Sequence, residues 1–76
     1  MDRRRKAVEV LAEVSGVEAA AITPEMDLVA DLGIDSVKAL RLLVELEESL
    51  GIEVSDEDAA RMSTVGDILD YITAHA

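Results

Sequence analysis

Three observations predict an all-α fold, a four-helix bundle of three principal helices plus one short helix. Apolar residues recur with helical spacing in three separate stretches, over residues 7–14, 39–50 and 65–72. Helix stops and capping residues bracket those stretches: Gly16 and Gly51 close two of them, and Ser55 and Thr64 stand before acidic helix starts. No segment alternates long enough to be a strand, since Ile52-Glu53-Val54 is too short to stand alone.

Residues 2–15 read as the first helix, with Ala7, Val10, Leu11 and Val14 at i, i+3, i+4 and i+7 on one face. Arg3, Arg4, Arg5 and Lys6 fill its first turn, where positive charge opposes the helix dipole, so a frayed and solvated start is expected. From Val17 to Asp35 the periodicity weakens. Val17, Ile22, Met26, Leu28, Val29 and Leu32 suffice to pin a long loop to a core, and Thr23-Pro24-Glu25-Met26-Asp27 reads as a turn or a single helical turn.

The second helix, from about Ser36 to Leu50, contains neither Gly nor Pro, and Gly51 follows it. Ala39, Leu42, Leu43, Leu46 and Leu50 form the stripe expected to face the core. Val37, Leu40 and Val44 form a second stripe, which either packs inside or is an exposed apolar strip rimmed by Lys38, Arg41, Glu45, Glu47 and Glu48. Ser55-Asp56-Glu57-Asp58 caps a short third helix over about 56–61. Thr64-Val65-Gly66-Asp67 repeats the pattern, and Val65, Ile68, Leu69 and Ile72 carry a last helix to about Thr73. With 76 residues the chain is read as one domain, 1–76.

Charge and composition narrow the function classes. Residues 7–76 hold 16 acids against 3 bases, a balance of −13. Such a body repels nucleic acid phosphates, favours partners with basic surfaces and keeps a protein soluble and monomeric. No cysteine is present, and Tyr71 is the lone aromatic in an otherwise aliphatic apolar set. The basic start runs into Glu9, Glu13 and Glu18 rather than an apolar signal segment, and no run is long enough to span a bilayer. A cytoplasmic location is expected.

The stretch Asp31-Leu32-Gly33-Ile34-Asp35-Ser36-Val37 organises the chain. Ser36 falls at the first residue of a helix, where its hydroxyl can face solvent and the orphan N–H groups and helix dipole tolerate an anion. Two chemistries fail there. An EF-hand started at Asp31 places Leu42 at position 12, and one started at Asp27 places Lys38 there, so neither register has the bidentate glutamate. A nucleophilic serine needs a base, and the single histidine, His75, is next to last in the sequence. What remains is a serine that other proteins act upon.

These residues are similar to the Asp-Ser-Leu motif region of acyl carrier proteins, with Val37 where leucine is usual. The likeness extends through the second helix, the Asp56-Glu57-Asp58 and Thr64-Val65 helix starts and Asp70-Tyr71-Ile72. The resemblance implies an acyl-carrier-like helical bundle with no catalytic or metal-ligating residues of its own. It implies 4′-phosphopantetheine attached covalently to Ser36, beside the motif's Asp35, by a phosphopantetheinyl transferase that uses coenzyme A and Mg²⁺. The arm's thiol would hold acyl groups as thioesters for acyltransferase, ketosynthase and other synthase enzymes of polyketide or fatty acid biosynthesis. Val37, Lys38, Leu40, Arg41, Val44, Glu45, Glu47, Glu48, Asp56 and Glu57 are the expected docking residues. Met26, Leu28, Leu42, Leu46, Met62, Ile68 and Leu69 are candidates to shelter an acyl chain.

Carriers of bacterial fatty acid synthesis usually present acids where this chain has Lys38 and Arg41, which favours a specialised carrier such as a discrete polyketide-pathway protein. An aminoacyl or peptidyl carrier of non-ribosomal peptide synthesis is the alternative of the same fold, although Gly-Ile-Asp-Ser departs from the Gly-Gly-(His/Asp)-Ser context more frequent there. An unmodified helical interaction module using the Val37, Leu40, Val44 strip is the alternative of another class.

Overall fold

The structure, a computed structural model, describes residues 2–74. In order it has α1 (Arg3–Ser15), a 3₁₀ turn (Ala19–Ala21), α2 (Ser36–Leu50), α3 (Asp56–Ala60) and α4 (Val65–Ala74). No strand occurs among the described residues; Asp27 and Thr64 form an isolated antiparallel bridge. The four expected helices are present within a residue or so of their expected ends. The 3₁₀ turn, built from three alanines, has no counterpart in the sequence reading.

The core is aliphatic. Ala7, Val10, Leu11 and Val14 of α1 pack with Leu42, Leu46 and Leu50 of α2 and with Val65, Ile68, Leu69 and Ile72 of α4. The long loop adds Leu28, Leu32 and Ile34 as plugs. α3 contributes no fully buried residue. Ala39 and Leu43, expected to face the core, are only half-buried.

At the basic start of α1 Arg4 and Arg5 are exposed, as expected, and two contacts absent from the sequence reading hold the turn. Asp2 caps the helix, its Oδ1 accepting from the N–H groups of Arg4 at 3.0 Å and Arg5 at 3.4 Å, which places a carboxylate at the positive end of the dipole. Arg3 Nη2 donates to the Leu50 carbonyl at 2.9 Å. A guanidinium therefore satisfies one of the orphan carbonyls at the end of α2 and complements its negative pole. Gly51, at φ 65°, closes α2 in the left-handed conformation expected of a C′ glycine.

The loop is fastened through its middle, over residues 23–28. Met26 N–H donates to the Thr23 carbonyl at 3.1 Å, giving a turn with Pro24 at its second position rather than a helical turn. Leu28 N–H then reaches Ser63 O at 2.9 Å, Val65 N–H reaches Met26 O at 3.0 Å and Gly66 N–H reaches Pro24 O at 2.9 Å. The approach at Gly66 is close enough that a Cβ there would lie 3.1 Å from Pro24 O, so glycine allows the loop to seat on α4.

A reciprocal cap starts α4. Asp67 Oδ2 accepts from Ser63 N at 2.9 Å, Thr64 N at 3.1 Å and Ser63 Oγ at 3.1 Å, while Thr64 Oγ1 accepts from Asp67 N at 3.2 Å. The Ser63 and Thr64 N–H groups hold the Asp67 pKa below its usual 3.8. A carboxylate whose folded-state pKa is depressed stabilises the fold above the unfolded value and loses that contribution as pH falls through the lowered one. Asp67→Ala is therefore expected to cost about 1 kcal/mol at pH 7. The gap between variant and parent should shrink below about pH 4, as read from urea midpoints at pH 7 and pH 3. A gap that is constant across this range would exclude the carboxylate as its source.

Candidate functional site

The turn before Ser36 is hydrogen-bonded by its own carboxylates. Asp27 Oδ2 accepts from Val29 N at 3.0 Å and Ala30 N at 2.7 Å, and Asp31 Oδ2 accepts from Asp27 N at 2.7 Å. These acids, tested above as metal ligands, hold backbone instead. Among the described residues no group of three such side chains could hold a metal ion. Gly33, at φ 64°, reverses the chain with its N–H on Val29 O at 3.0 Å, a conformation that a side chain would strain. Ile34 follows, 3% exposed, with its N–H on Leu28 O at 2.9 Å. A buried isoleucine one step from the motif thus fixes where the next two residues emerge.

Asp35 is the cap of α2 and Ser36 its first residue. Asp35 Oδ1 accepts from Lys38 N at 2.9 Å, and Asp35 O accepts from Ala39 N at 2.8 Å. Capping is therefore done by the neighbour, not by the serine. Ser36 is exposed, and among the described residues its hydroxyl has no hydrogen-bond partner. The N–H groups of Ser36 and Val37 are the first two of the helix, where no intrahelical acceptor exists. A phosphodiester on Ser36 Oγ fits: the oxygen is accessible, the helix pole favours an anion, and Lys38 adds a positive charge in the same turn. His75, weighed above as a base, lies outside the described residues.

The second stripe of α2 is exposed rather than packed inside. Val37, Leu40 and Val44 are 78%, 67% and 45% exposed, and Val29, at 68%, is the remaining exposed large apolar side chain among the described residues. Lys38 has no ion-pair partner among them, whereas Arg41 Nε pairs with Glu45 Oε1 at 3.7 Å. Glu48 and Asp56 are exposed, and Glu57 lies 3.5 Å from Arg61 in an exposed pair. Glu47 differs from expectation. Its Oε2 accepts from Val54 N at 3.0 Å, so it secures the link to α3.

A cavity of about 110 Å³ lies beside the first turns of α2, walled by Leu28, Val29, Ile34, Ala39, Leu42, Leu43, Ala59, Met62 and Ile68. Leu28, Leu42, Met62 and Ile68 were expected as lining. Of the other candidates, Leu46 and Leu69 are in the core and Met26 packs against it. Ala39 and Ala59 were missed, although small residues on facing helices are a readable sign of unfilled space. Ile34 and Val29 carried no such sign, and Leu43 was read only as part of the core stripe of α2.

Comparison with known proteins agrees with this geometry. The family model described as "Phosphopantetheine attachment site" matches residues 5–72. A Mycobacterium tuberculosis protein assigned as an acyl carrier protein superposes with a TM-score of 0.87 at 30% identity, over 96% of this chain and 97% of its own. The acyl carrier protein of Enterococcus faecalis superposes at 0.82 with 33% identity, over the whole of both chains. The group that such domains carry is a covalently attached phosphopantetheine, and the domains themselves are not catalysts. Because the agreement runs through every helix and not only the serine turn, the chain belongs to the acyl carrier protein family of phosphopantetheine-attachment domains.

Proposed function

We propose that Ser36 is the attachment residue and that the chain is a single, monomeric, cytoplasmic carrier domain. It would serve polyketide or fatty acid biosynthesis, with the basic pair on α2 favouring a specialised polyketide carrier. The observation that carries the reading is a solvent-facing Ser36 hydroxyl, free of partners among the described residues, at the first position of a helix capped by Asp35. Ser36 Oγ would displace the nucleotide portion of coenzyme A at its pyrophosphate. The hydroxyl proton would leave to a base on the transferase, and Asp35, whose Oδ1 accepts from Lys38 N–H, would serve to hold the start of the helix. The bound group supplies a terminal thiol on which acyl groups are held as thioesters. The test is incubation with a promiscuous phosphopantetheinyl transferase, Mg²⁺ and coenzyme A. Intact mass should rise by one phosphopantetheinyl group per chain, and no gain sinks the reading.

The α2 strip is the proposed docking surface, with Val37, Leu40 and Val44 as apolar anchors. Lys38 and Arg41 stand at its serine end, and Glu45, Glu48, Asp56 and Glu57 beyond. Leu40→Ala is expected to change folding stability by less than about 0.5 kcal/mol, because the side chain is exposed. It should lower kcat/KM of a partner enzyme about tenfold, the loss typical of an interface anchor. Lys38→Glu should act in the same direction with the native partner. Unaltered rates for both variants would remove this face from partner recognition.

A further inference from the structure

The bases at residues 3–6 have no part in the serine site or in the strip on α2. Residues 2–6 hold four bases against one acid, and the rest of the chain 16 acids against three bases. The start of α1 is therefore a basic pole on an acidic body. It lies at the opposite end of α2 from Ser36: Arg3 Nη2 reaches the carbonyl of Leu50, the last residue of a 15-residue helix that Ser36 begins, about 21 Å away at the rise of an α-helix. Arg3 is committed to that carbonyl, whereas Arg4 and Arg5 are exposed and Lys6 is half-buried. Among the described residues none of these last three side chains has a hydrogen bond or an ion pair, although Glu9 stands four residues after Arg5. A base ahead of an acid is the weaker order for such a pair. Nor does helix formation call for the cluster, since cations in a first turn oppose the macrodipole. The Asp2 cap and the Arg3 contact hold the turn, so the free cations stand on an ordered backbone.

We propose that this basic pole is a second docking surface, which takes a short acidic peptide segment of a partner protein and leaves Ser36 free. Charge complementarity selects the class of partner, and the surroundings select its size. Ala7, Val10, Leu11 and Val14 of α1 are buried in the core, and the exposed large apolar side chains among the described residues are Val29 and three residues of α2. The pole therefore has no apolar face to insert into a lipid surface, as a membrane-bound amphipathic helix has. A lipid sheet or a nucleic acid duplex is also an extended polyanion, and would lie against the acidic body as well as the pole. A short acidic segment meets the pole alone. At physiological ionic strength charges are screened over about 8 Å, so occupation of the pole leaves the field around Ser36 unaltered. The chain is thus held at one end while an enzyme works at the other. That division of labour rests on the carrier reading; the docking pole itself does not.

The probe is a fluorescein-labelled oligoglutamate peptide, titrated with the unmodified full chain at low salt and followed by anisotropy. Saturable binding is expected, and it should weaken as salt is added. The double variant Arg4→Glu, Arg5→Glu should bind about tenfold less tightly or worse. Lys38→Glu, Arg61→Glu, which changes net charge by the same amount at other places, should stay within about twofold of the parent. Both arginines at the pole are exposed and acids suit a helix start, so their double variant should melt no lower than the parent. Amide shifts caused by the peptide should fall in the first turns of α1 and not in the first turns of α2. Phosphopantetheinyl loading at saturating peptide should run within about twofold of its rate without peptide. Absence of saturable binding, or equal losses in the two double variants, overturns the docking pole. Retention on phosphatidylglycerol vesicles or duplex DNA at a salt concentration that releases the peptide overturns the choice of partner. Slower loading with peptide bound overturns the independence of the two ends. Failure of the parent chain to load even without peptide counts against Ser36 as the attachment residue, and the binding data still decide the pole.

Discussion

Ser36→Ala is expected to abolish the phosphopantetheinyl mass gain entirely while leaving the fold and its stability within about 0.5 kcal/mol of the parent. The two halves of this outcome have separate causes. The covalent step needs one hydroxyl oxygen, and no neighbour can replace it: Asp35 is a carboxylate, which cannot form a phosphodiester, and the next hydroxyl in the sequence, Ser49, lies at the far end of α2. Stability, by contrast, does not depend on the hydroxyl, which is exposed and unpartnered among the described residues. Alanine is also the better helix former at an exposed helical position. Asp35→Ala provides the converse. Losing the cap of α2 should cost about 1 kcal/mol while the serine oxygen remains, so a mass gain should still occur. Intact mass spectrometry with thermal melts on the two variants separates attachment from helix capping. A full mass gain in Ser36→Ala would assign the arm to another residue.

The difference between these two neighbours was partly legible in the sequence. Gly33, Asp35 and an uninterrupted helix-forming run marked a helix start, and local chemistry of that kind survives folding because it involves residues three or four apart. The stripe Leu42, Leu46, Leu50 was legible for the same reason. The sequence left open whether Val37, Leu40 and Val44 pack inside, since one helix cannot show how many neighbours it has. Three details required tertiary proximity. Arg3 meets the Leu50 carbonyl across 47 positions, Tyr71 meets Asp58 across 13, and Glu47 turns from the rim to Val54. Alanines 19–21 carried no polarity pattern, and their 3₁₀ turn was accordingly invisible. Cavity walls were the least legible part. They depend on where packing fails, which places Val29, Ile34 and Ala59 in the lining while Leu46 and Leu69 fill the core.

Leu46→Ala should have the largest effect on stability of any substitution discussed. Leu46 is 1% exposed and among the largest fully buried side chains, midway in the central helix. Leucine-to-alanine changes at such positions cost about 2–5 kcal/mol through lost transfer energy and residual cavity. A chain of this length has about 4–11 kcal/mol in total. There is no disulfide to limit the loss. The aliphatic core, with neither Phe nor Trp, can collapse partly into the gap, which places the expected cost nearer 3 kcal/mol than 5. Melting should fall by roughly 10–30 °C in a domain this small. Because Leu46 lies ten residues along α2 from Ser36 and does not wall the cavity at the first turns of that helix, the variant that remains folded at low temperature should still accept the phosphopantetheinyl group. Urea titration with an unchanged slope and a lowered midpoint would report a purely energetic loss. A cost below about 1 kcal/mol would mean that α2 is not the centre of the core.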